Sequence, residues 1–385
     1  MRENFSGAQK NIYRLLINLN RKEVYPILLG QAESPLTNLT EKKGINTMIV
    51  PFPPGLQIYD QKILSFNLHT IIRFVKGVFL YNKQLVKECK ELKPEIIWCD
   101  NIRTLITIYL ACRIMKVKII WNIWSEPQGK VAWIVHRLGL FLADCINIEY
   151  KNQSKKIFGR LENFSFVNKK IVPLYTGVSD FEELTGKDIR KELTLDPNDI
   201  LIIMASNIVP GKGQIDLIKS FENIIVQSTN VHLLLAGIAV ESSPISINYY
   251  NEINEYLIKN NLSQKIHLIG WRSDIRDILA MSDIYVSTSY SESFPDAVRE
   301  AMLASLPVIV TNVGGTSELV DIGKNGYLFE PGDIKSLTRY IQGLISNPLL
   351  RKDMGKYSKT IIEERFSTKV YAKNFEIMIK NTLMH

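Results

Sequence analysis

The chain has 385 residues, of which 46% are hydrophobic and 22% are charged, and it carries a formal net charge of +8. The length exceeds one ordinary hydrophobic core and predicts two domains of about 150–200 residues each. The composition is typical of a folded globular protein, which excludes a disordered chain, and no internal repeat is visible. The positive charge indicates an anionic partner and leaves nucleic acid, a phosphorylated small molecule and an anionic membrane open.

Targeting and cysteine patterns favour the cytoplasm. No apolar run approaches the roughly 18 residues that span a bilayer, and residues 1–11 lack the apolar core of a signal peptide. The four cysteines form no Cys-x-x-Cys pair and the five histidines are scattered, so we expect neither a disulfide framework nor a metal site. His232 and His267 lie inside predicted strands, where we expect core or edge residues rather than ligands.

Short apolar runs rich in β-branched residues alternate with stretches of helical periodicity, such as residues 63–92. The predicted strands of the first half are residues 25–30, 45–51, 96–99, 118–123, 145–150 and 171–175, and those of the second half are 200–206, 231–237, 266–271, 283–289, 307–312 and 326–330. Nearly continuous apolar strands separated by helices indicate parallel sheets covered on both faces. The predicted fold class is α/β, with two Rossmann-like doubly wound domains facing across a cleft.

The predicted boundaries follow the two series of strands. We assign residues 1–178 to an N-terminal acceptor-binding domain, 179–198 to a linker, 199–367 to a C-terminal nucleotide-sugar domain, and 368–385 to a helix that crosses back to the N-terminal domain. Ser6, Gly7 and Ala8 look like the glycine turn that follows the first strand of a doubly wound domain. Only residues 1–5 precede that turn, so we expect the first strand to be truncated or missing.

The most informative segment, residues 292–300, follows a predicted strand and opens a helix. Ser293 with Asp296 suits an N-cap and capping box, and Pro295 suits the first turn. The helix is expected to end near Ala304. Its N-terminus would present exposed N–H groups and a partial positive charge to a ligand.

Two glutamates belong to this segment. Glu292 lies in the loop ahead of the helix, and Glu300 lies about two turns deeper. So placed, each carboxylate can hold a pair of sugar hydroxyls. The alternative is a capped surface helix that carries two solvated glutamates.

Five segments then occur in an order that resembles family 4 of the glycosyltransferases, the group 1 type. They are residues 210–214 (PGKGQ), 270–272 (GWR), 289–300 (SYSESFPDAVRE), 307–315 (PVIVTNVGG) and 325–327 (NGY). The resemblance covers residues 199–367 well and the first half in outline. It implies the two-domain GT-B fold and retaining sugar transfer from a nucleotide-sugar donor.

The resemblance also implies roles for individual residues. Glu292 and Lys212 look like the catalytic pair, the first near the donor sugar and the second on the donor diphosphate. Glu300 looks like the glutamate that holds the ribose hydroxyls. The further donor-binding residues implied are Ser293, Phe294 and Pro295, whose backbone would present N–H groups to the sugar, Trp271 and Arg272 beside the base, Asn207, and Gly7 in the N-terminal glycine turn.

The sequence departs from the family pattern at four places. Asn207 stands where a basic residue is usual, so a second cation on the diphosphate is missing. Ser293 replaces a glycine, which narrows the sugar pocket. Residues 124–126 (Trp-Ser-Glu) stand where a histidine is often found, and residues 176–178 (Thr-Gly-Val) replace Asn-Gly-Val. These departures bear on catalytic rate and on acceptor positioning.

The leading hypothesis is a retaining glycosyltransferase acting in cell-envelope polysaccharide biosynthesis on a glycan or lipid-linked acceptor. It requires no cofactor and no metal, because the nucleotide-sugar is a substrate and Lys212 with helix N–H groups can neutralise the diphosphate. Alternatives are a nucleotide-sugar epimerase or phosphorylase on the same fold, and a catalytically degenerate partner subunit, which Asn207 and Trp124 favour. No Gly-x-Gly-x-x-Gly follows a strand, which disfavours an oxidoreductase.

The first half also contains a basic, apolar helical stretch. Its cations are Lys62, Arg73, Lys76, Lys83, Lys87 and Lys90, with Phe74, Val78 and Phe79 nearby. Such a helix can lie on an anionic membrane, and on this interpretation the protein is a cytoplasmic, peripheral membrane enzyme. We expect no nucleic-acid partner. The alternative is an ordinary surface helix covering the sheet.

Overall fold

The computed structural model describes residues 7–57, 68–178 and 184–384. The chain divides into two compact units, Met1–Gly177 with Thr368–His385 and Val178–Ser367. The expected stub at residues 1–5, Ser6 of the glycine turn and Lys62 of the basic stretch lie outside the described residues.

The first unit contains two parallel sheets with helices around them. One sheet pairs β1 with β2 and the other has the order β3-β4-β5-β6. The strands are β1 Ile27–Gly30, β2 Asn46–Ile49, β3 Ile96–Cys99, β4 Lys118–Ile123, β5 Cys145–Ile148 and β6 Ile171–Pro173, and the helices are α1 Gly7–Asn18, α2 Pro35–Lys42, α3 Leu68–Cys89, α4 Ile102–Met115, α5 Lys130–Gly139, α6 Gln153–Phe158, α7 Ser165–Asn168 and, at the end of the chain, α16 Thr368–Met384.

Strand β4 shows why several strands of this unit are nearly continuous apolar runs. Ile119 and Trp121 face a core that they share with α3 and α4, whereas Ile120 faces a second core shared with α1 and α16. Each side chain is fully buried. A strand covered on both faces has no polar alternation, which is the pattern expected of parallel sheets.

The second unit is built on one six-stranded parallel sheet of order β12-β11-β10-β7-β8-β9. The strands are β7 Ile200–Ala205, β8 Val231–Ala236, β9 Ile266–Gly270, β10 Ile284–Ser287, β11 Val308–Thr311 and β12 Gly326–Phe329, and the helices are α8 Ile189–Glu192, α9 Gln214–Ile225, α10 Pro244–Lys259, α11 Ile275–Met281, α12 Asp296–Leu303, α13 Thr316–Leu319, α14 Ile334–Ser346 and α15 Pro348–Arg365. All twelve predicted strands are present, with ends that differ by at most two residues.

The order of this sheet creates a switch point between β7 and β10. The chain proceeds from β7 outward through β8 and β9, and then returns to the other side of β7 to build β10, β11 and β12. In doubly wound sheets, ligands bind at the carboxyl ends of the strands where the order reverses. The loops after β7 and β10 are therefore the expected binding loops of this unit.

The segment predicted as a linker, residues 179–198, joins the second unit from residue 184 onward. Thr185 and Gly186 donate backbone N–H groups to the Asp277 carboxylate at 3.1 and 2.8 Å. At the other end of the unit, the Val178 N–H donates to the Phe366 carbonyl at 2.9 Å. Helix α16 then packs in the first unit, where its Phe375 joins the core around α1.

Across residues 7–57, 68–178 and 184–384, no helix combines the length and the hydropathy that crossing a bilayer requires.

Candidate active site

The predicted catalytic residues Lys212 and Glu292 form an ion pair at the switch point of the second unit. Lys212 follows β7 and Glu292 follows β10, and the Lys212 Nζ lies 2.5 Å from the Glu292 Oε1. Ser289 Oγ donates to the same carboxylate oxygen at 2.7 Å. Both charged side chains are partly exposed, at 28% and 15%. The site therefore offers a cation and a carboxylate side by side, within reach of a ligand.

Backbone contacts between the two loops fix the position of Lys212. The Thr288 Oγ1 donates to the carbonyl oxygens of Lys212 and Gly213 at 3.0 and 2.8 Å, and the Tyr290 N–H donates to the Gly211 carbonyl at 2.9 Å. Gly213 has a φ of +67°, and an added Cβ would come within 2.4 Å of the Thr288 carbonyl oxygen. Glycine is required there, because any side chain would separate the two loops.

The Glu292 loop rests on the turn after β11. The Thr311 Oγ1 donates to the Ser289 carbonyl at 2.6 Å, and the Gly315 N–H donates to the Ser293 carbonyl at 2.7 Å. At Gly314 a Cβ would come within 2.0 Å of the Glu292 carbonyl oxygen. The Gly-Gly pair thus lets the loop lie close to the sheet.

The predicted capping box at Ser293 and Asp296 is wrong. Helix α12 begins at Asp296, and its N-cap is Pro295, which has φ −68° and ψ 119° and makes no side-chain cap hydrogen bond. The pyrrolidine ring fixes φ near this value, so the extended residue before the helix is Pro295 and not Ser293. Pro295 has no N–H, which leaves Ser293 and Phe294 as the N–H donors of the predicted sugar-binding segment.

Phe294 has a packing role that the sequence did not indicate. Its ring is buried and contacts Phe366 at a centroid distance of 5.4 Å. The fully buried Arg299 guanidinium lies 4.6 Å from the same ring, donates to the Phe294 carbonyl at 3.0 Å and pairs with Asp296. These contacts lock the start of α12, and with it the loop that carries Glu292.

Glu300 lies half-buried on α12. Burial first, and then the negative charges of Glu292 and Glu300, raise the pKa of Tyr285 well above its usual range. The charges of both predicted carboxylates therefore bear on the same buried tyrosine of β10.

The structure places Trp271 and Arg272 differently from each other. Trp271 follows the edge strand β9 and is 57% exposed. The Arg272 guanidinium makes two hydrogen bonds of 2.7 Å to Glu192 and two to Asp274, at 2.9 and 2.8 Å. Hydrogen bonds from Arg272 hold the pKa of Glu192 and of Asp274 below its ordinary value. The Arg272 guanidinium thus joins Glu192, at the end of α8, to Asp274, just before α11, within the unit.

Two further predicted residues lie at the ends of elements. Asn207 follows β7, with an exposed side chain and a carbonyl that accepts a hydrogen bond of 2.8 Å from Gln214 Nε2. Gly7 is the first residue of α1 in the first unit and is exposed. Within residues 184–384, Asn207 makes no hydrogen bond to Lys212 or Glu292.

Sequence reasoning missed Ser289 and Tyr290. Ser289 holds Glu292, and the Tyr290 hydroxyl donates to Asp216 on α9 at 2.7 Å, which ties the β10 loop to the helix after Lys212. Only the small polar residues at the end of an apolar strand signalled Ser289. No spacing signalled Tyr290 and Asp216, because their partnership arises from neighbouring strands.

Comparisons with known proteins agree with this geometry. Residues 186–361 match the profile of the family described as glycosyl transferases group 1. The capsular polysaccharide biosynthesis glycosyltransferase CapM of Staphylococcus aureus is 29% identical over 262 residues, 66% of each chain. The UDP-Gal:alpha-D-GlcNAc-diphosphoundecaprenol alpha-1,3-galactosyltransferase of Escherichia coli is 25% identical over 339 residues, 83% of this chain and 86% of that one.

Several curated relatives are matched over about half to two thirds of their own length. Among solved structures, Anabaena HepE, crystallised in complex with UDP, superposes with a TM-score of 0.78 at 18% identity, covering 99% of this chain and 98% of that one. This similarity shows the fold, which is GT-B. The profile of the glycosyl transferases group 1 family matches the unit that contains Lys212, Glu292 and Glu300.

Proposed function

We propose that this chain is a retaining glycosyltransferase that moves a sugar from a nucleotide-sugar donor to a glycan or lipid-linked acceptor in cell-envelope polysaccharide biosynthesis. The observation that carries the proposal is the Lys212–Glu292 pair, held by Ser289 at the switch point of the second sheet. The similarity to a capsular enzyme and to an enzyme whose name specifies a diphosphoundecaprenol acceptor supports the acceptor class.

The proposed chemistry proceeds on one face of the sugar. The bond between the anomeric carbon and the leaving diphosphate oxygen breaks, and the acceptor oxygen bonds to that carbon from the same side, so the configuration is retained. The acceptor proton passes to the departing phosphate oxygen. Lys212 stabilises the charge that develops on the diphosphate, and the N–H groups of Ser293 and Phe294 add to it near the start of α12.

The ion pair gives Lys212 two proposed states. Without donor, its ammonium neutralises Glu292 at 2.5 Å. When a diphosphate binds, the ammonium can share its donors between the phosphate and the carboxylate, because a lysine carries three N–H donors. Glu292 is then positioned to accept hydrogen bonds from hydroxyls of the donor sugar.

The nucleotide is proposed to lie toward Glu300 and Trp271. Glu300 accepts hydrogen bonds from the ribose hydroxyls, and the indole of Trp271, which is 57% exposed, contacts the base. No resident cofactor or metal takes part in this proposal, since Lys212 and the helix N–H groups supply the positive charge and the nucleotide-sugar is consumed.

The proposed setting is the cytoplasm, at an anionic membrane surface and without nucleic acid. All four cysteines are buried free thiols, which suits a reducing compartment. Helix α3 packs Phe74 and Val78 against the core, while Val75 and Phe79 are each 60% exposed among cations. This exposure supports the membrane-facing interpretation of the basic stretch.

A donor screen tests the proposal. The purified chain is incubated with UDP-, GDP- and ADP-sugars and a lipid-linked or oligosaccharide acceptor, and nucleotide release is measured. Release from one donor that depends on the acceptor, with a product whose anomeric configuration by NMR matches the donor, supports retaining transfer. An inverted product would contradict retention, and isomerised or phosphorolysed sugar without any acceptor would indicate the epimerase or phosphorylase alternative.

A second candidate is a catalytically degenerate partner subunit. Asn207 places a neutral amide where the family usually has a cation, and the Lys212 charge is already paired with Glu292. A chain that binds nucleotide normally but transfers no sugar from any donor would favour this candidate.

A further inference from the structure

The first unit exposes a cluster of apolar side chains on α5 and around α7, which we call the phenylalanine patch. Its members and their exposed fractions are Val131 (40%), Ile134 (59%), Leu138 (58%), Phe141 (62%), Phe164 (54%) and Phe166 (53%). The rings of Phe141 and Phe166 lie 6.4 Å apart, and those of Phe164 and Phe166 lie 5.9 Å apart. The three rings therefore form one cluster at the surface and are not isolated exposures.

The stripe on α5 follows from helix geometry. Val131, Ile134 and Leu138 are spaced by three and four residues, which places them within about 60° of one another around the helix. The opposite side of α5 packs on the core through Trp133 and the buried Gly139. The helix is thus apolar on both sides, whereas a surface helix of a soluble domain normally turns polar residues outward.

A contiguous apolar surface of this kind marks an interaction site, because soluble chains rarely leave large apolar clusters in water. Among residues 184–367 of the second unit, the apolar side chains with the greatest exposed fractions do not lie along one helix face. Val226 follows α9, Ile245 lies on α10 and Leu349 lies on α15.

The charge around the patch indicates what covers it. Residues 130–170 contain eight lysines and arginines and three acidic residues, a net +5 of the chain's total of +8. The three acids point to partners or to the interior: Asp144 pairs with Arg113, Glu162 accepts from Ser154 Oγ, and Glu149 is buried. The same stretch of chain carries the exposed cations Lys130, Arg137, Arg160 and Lys169.

We propose that the phenylalanine patch docks the first unit on an anionic phospholipid surface, with the three rings at the boundary between headgroups and acyl chains. Aromatic side chains favour that boundary, and cations around an apolar stripe are attracted by anionic headgroups. The inference rests on the proposed membrane-resident acceptor and assigns it a surface distinct from α3.

The test is co-sedimentation of the full chain with vesicles, without any donor or acceptor. Wild-type protein is mixed with vesicles of phosphatidylcholine and with vesicles that also contain phosphatidylglycerol. We expect binding to the anionic vesicles that weakens at high salt. The variant Phe141→Ser/Phe164→Ser/Phe166→Ser is expected to lose at least roughly tenfold in partition coefficient, since it removes the apolar anchors.

The matched control removes three apolar residues of the second unit that are more exposed than the phenylalanines, Val226→Ser/Ile245→Ser/Leu349→Ser, and is expected to bind as wild type. Thermal melts and UDP binding of both variants report on folding. The inference is overturned if the patch variant binds vesicles as well as wild type does. It is overturned equally if, in addition, the α3 variant Ile72→Ser/Val75→Ser/Phe79→Ser loses binding, because α3 would then be the docking surface. Equal binding of wild type to neutral and anionic vesicles overturns it as well, and so does a dimer in solution that only the patch variant abolishes.

The proposed function and this inference fail separately. If wild type binds vesicles but transfers no sugar from any donor, the proposed function is overturned and the membrane-docking inference stands. Transfer to a short water-soluble acceptor without vesicle binding overturns the patch and leaves the proposed function.

Discussion

Gly314 lies so close to Glu292 that a single added carbon would collide with it. The Cβ of an alanine at this position would come within 2.0 Å of the Glu292 carbonyl oxygen and 2.7 Å of the Ser293 carbonyl oxygen, and the φ of +56° is in the left-handed region. The loop that carries the Glu292 carboxylate is therefore positioned by a residue that has no side chain.

Gly314→Ala should displace the Glu292 loop, with a large effect on turnover and a moderate effect on the free energy of unfolding. We expect a loss of about 1–3 kcal/mol in the free energy of unfolding from the strained backbone, together with a large loss of kcat. Denaturant unfolding and donor-turnover assays measure the two effects. Gly343→Ala is the control, because the space around Gly343 on α14 is open and alanine favours a helix by about 0.5–1 kcal/mol. Wild-type turnover in Gly314→Ala would show that the loop tolerates the shift.

Glu300→Ala should greatly weaken nucleotide binding and leave the fold intact. Its carboxylate is the proposed partner of both ribose hydroxyls, and alanine removes both acceptors without disturbing α12, where alanine is a good helix former. Calorimetric titration with UDP and GDP measures the effect, and Glu363→Ala on α15, where the side chain is 60% exposed, is the control. Unchanged affinity in Glu300→Ala would exclude the ribose role.

Lys212→Ala should lower kcat by ~10²–10³, or about 3–4 kcal/mol, by analogy with the loss of one oxyanion-hole donor. The substitution also removes the ion pair of Glu292 and keeps its hydrogen bond from Ser289, so melting curves must accompany the kinetics. Lys219→Ala, on the exposed side of α9, is the matched control. A Lys212→Ala enzyme that turns over like wild type would mean that another group neutralises the diphosphate. In the same assay Asn207→Arg, which adds the second cation, should keep or raise turnover.

Chelation should leave the activity unchanged, since the proposed charge stabilisation comes from Lys212 and helix N–H groups. The assay compares turnover before and after EDTA treatment, followed by addition of Mg²⁺ or Mn²⁺. Activity that disappears with EDTA and returns with either cation would assign the diphosphate to a metal.

The histidine pair of β8 and β9 predicts a stability that falls in acid. His232 Nδ1 lies 3.0 Å from His267 Nε2, and burial first, followed by the charges of His232 and Lys265, lowers the pKa of His267 to about 4. In the unfolded chain His267 binds a proton near pH 6.5, whereas in the folded chain it binds one only near pH 4. The contribution of His267 to the free energy of unfolding is therefore fully present above pH 6.5 and is lost as the pH falls from 6.5 to about 4.

Melting curves between pH 7 and pH 4 test this dependence. His267→Gln keeps a hydrogen-bonding side chain without titrating, so its melting temperature should fall less than that of wild type, by a few degrees. Parallel curves for the two proteins would contradict the assignment.

The strands were predictable from the sequence, whereas the partnerships at the site were predictable only in part. Strands buried on both faces, such as β4, leave continuous apolar runs that fix their position. The family resemblance identified Lys212 and Glu292, but their direct contact depends on β7 and β10 being neighbours, which no local pattern encodes. Pro295 displaced the predicted N-cap, and Glu192 and Asp274 engaged Arg272, because backbone restriction and long-range ion pairing outweigh local spacing.

Helix α16 makes the first unit discontinuous in sequence and the second unit an insertion within it. The chain leaves the first unit at Gly177 and returns at Thr368, and these ends are joined by the pairing of Val178 with Ser367. During synthesis the second unit has its whole sequence available before the first does, since Phe375 and Met378 complete the core around α1. Removal of helix α16 would thus expose the core of the first unit, although the removed residues follow the second unit in the sequence.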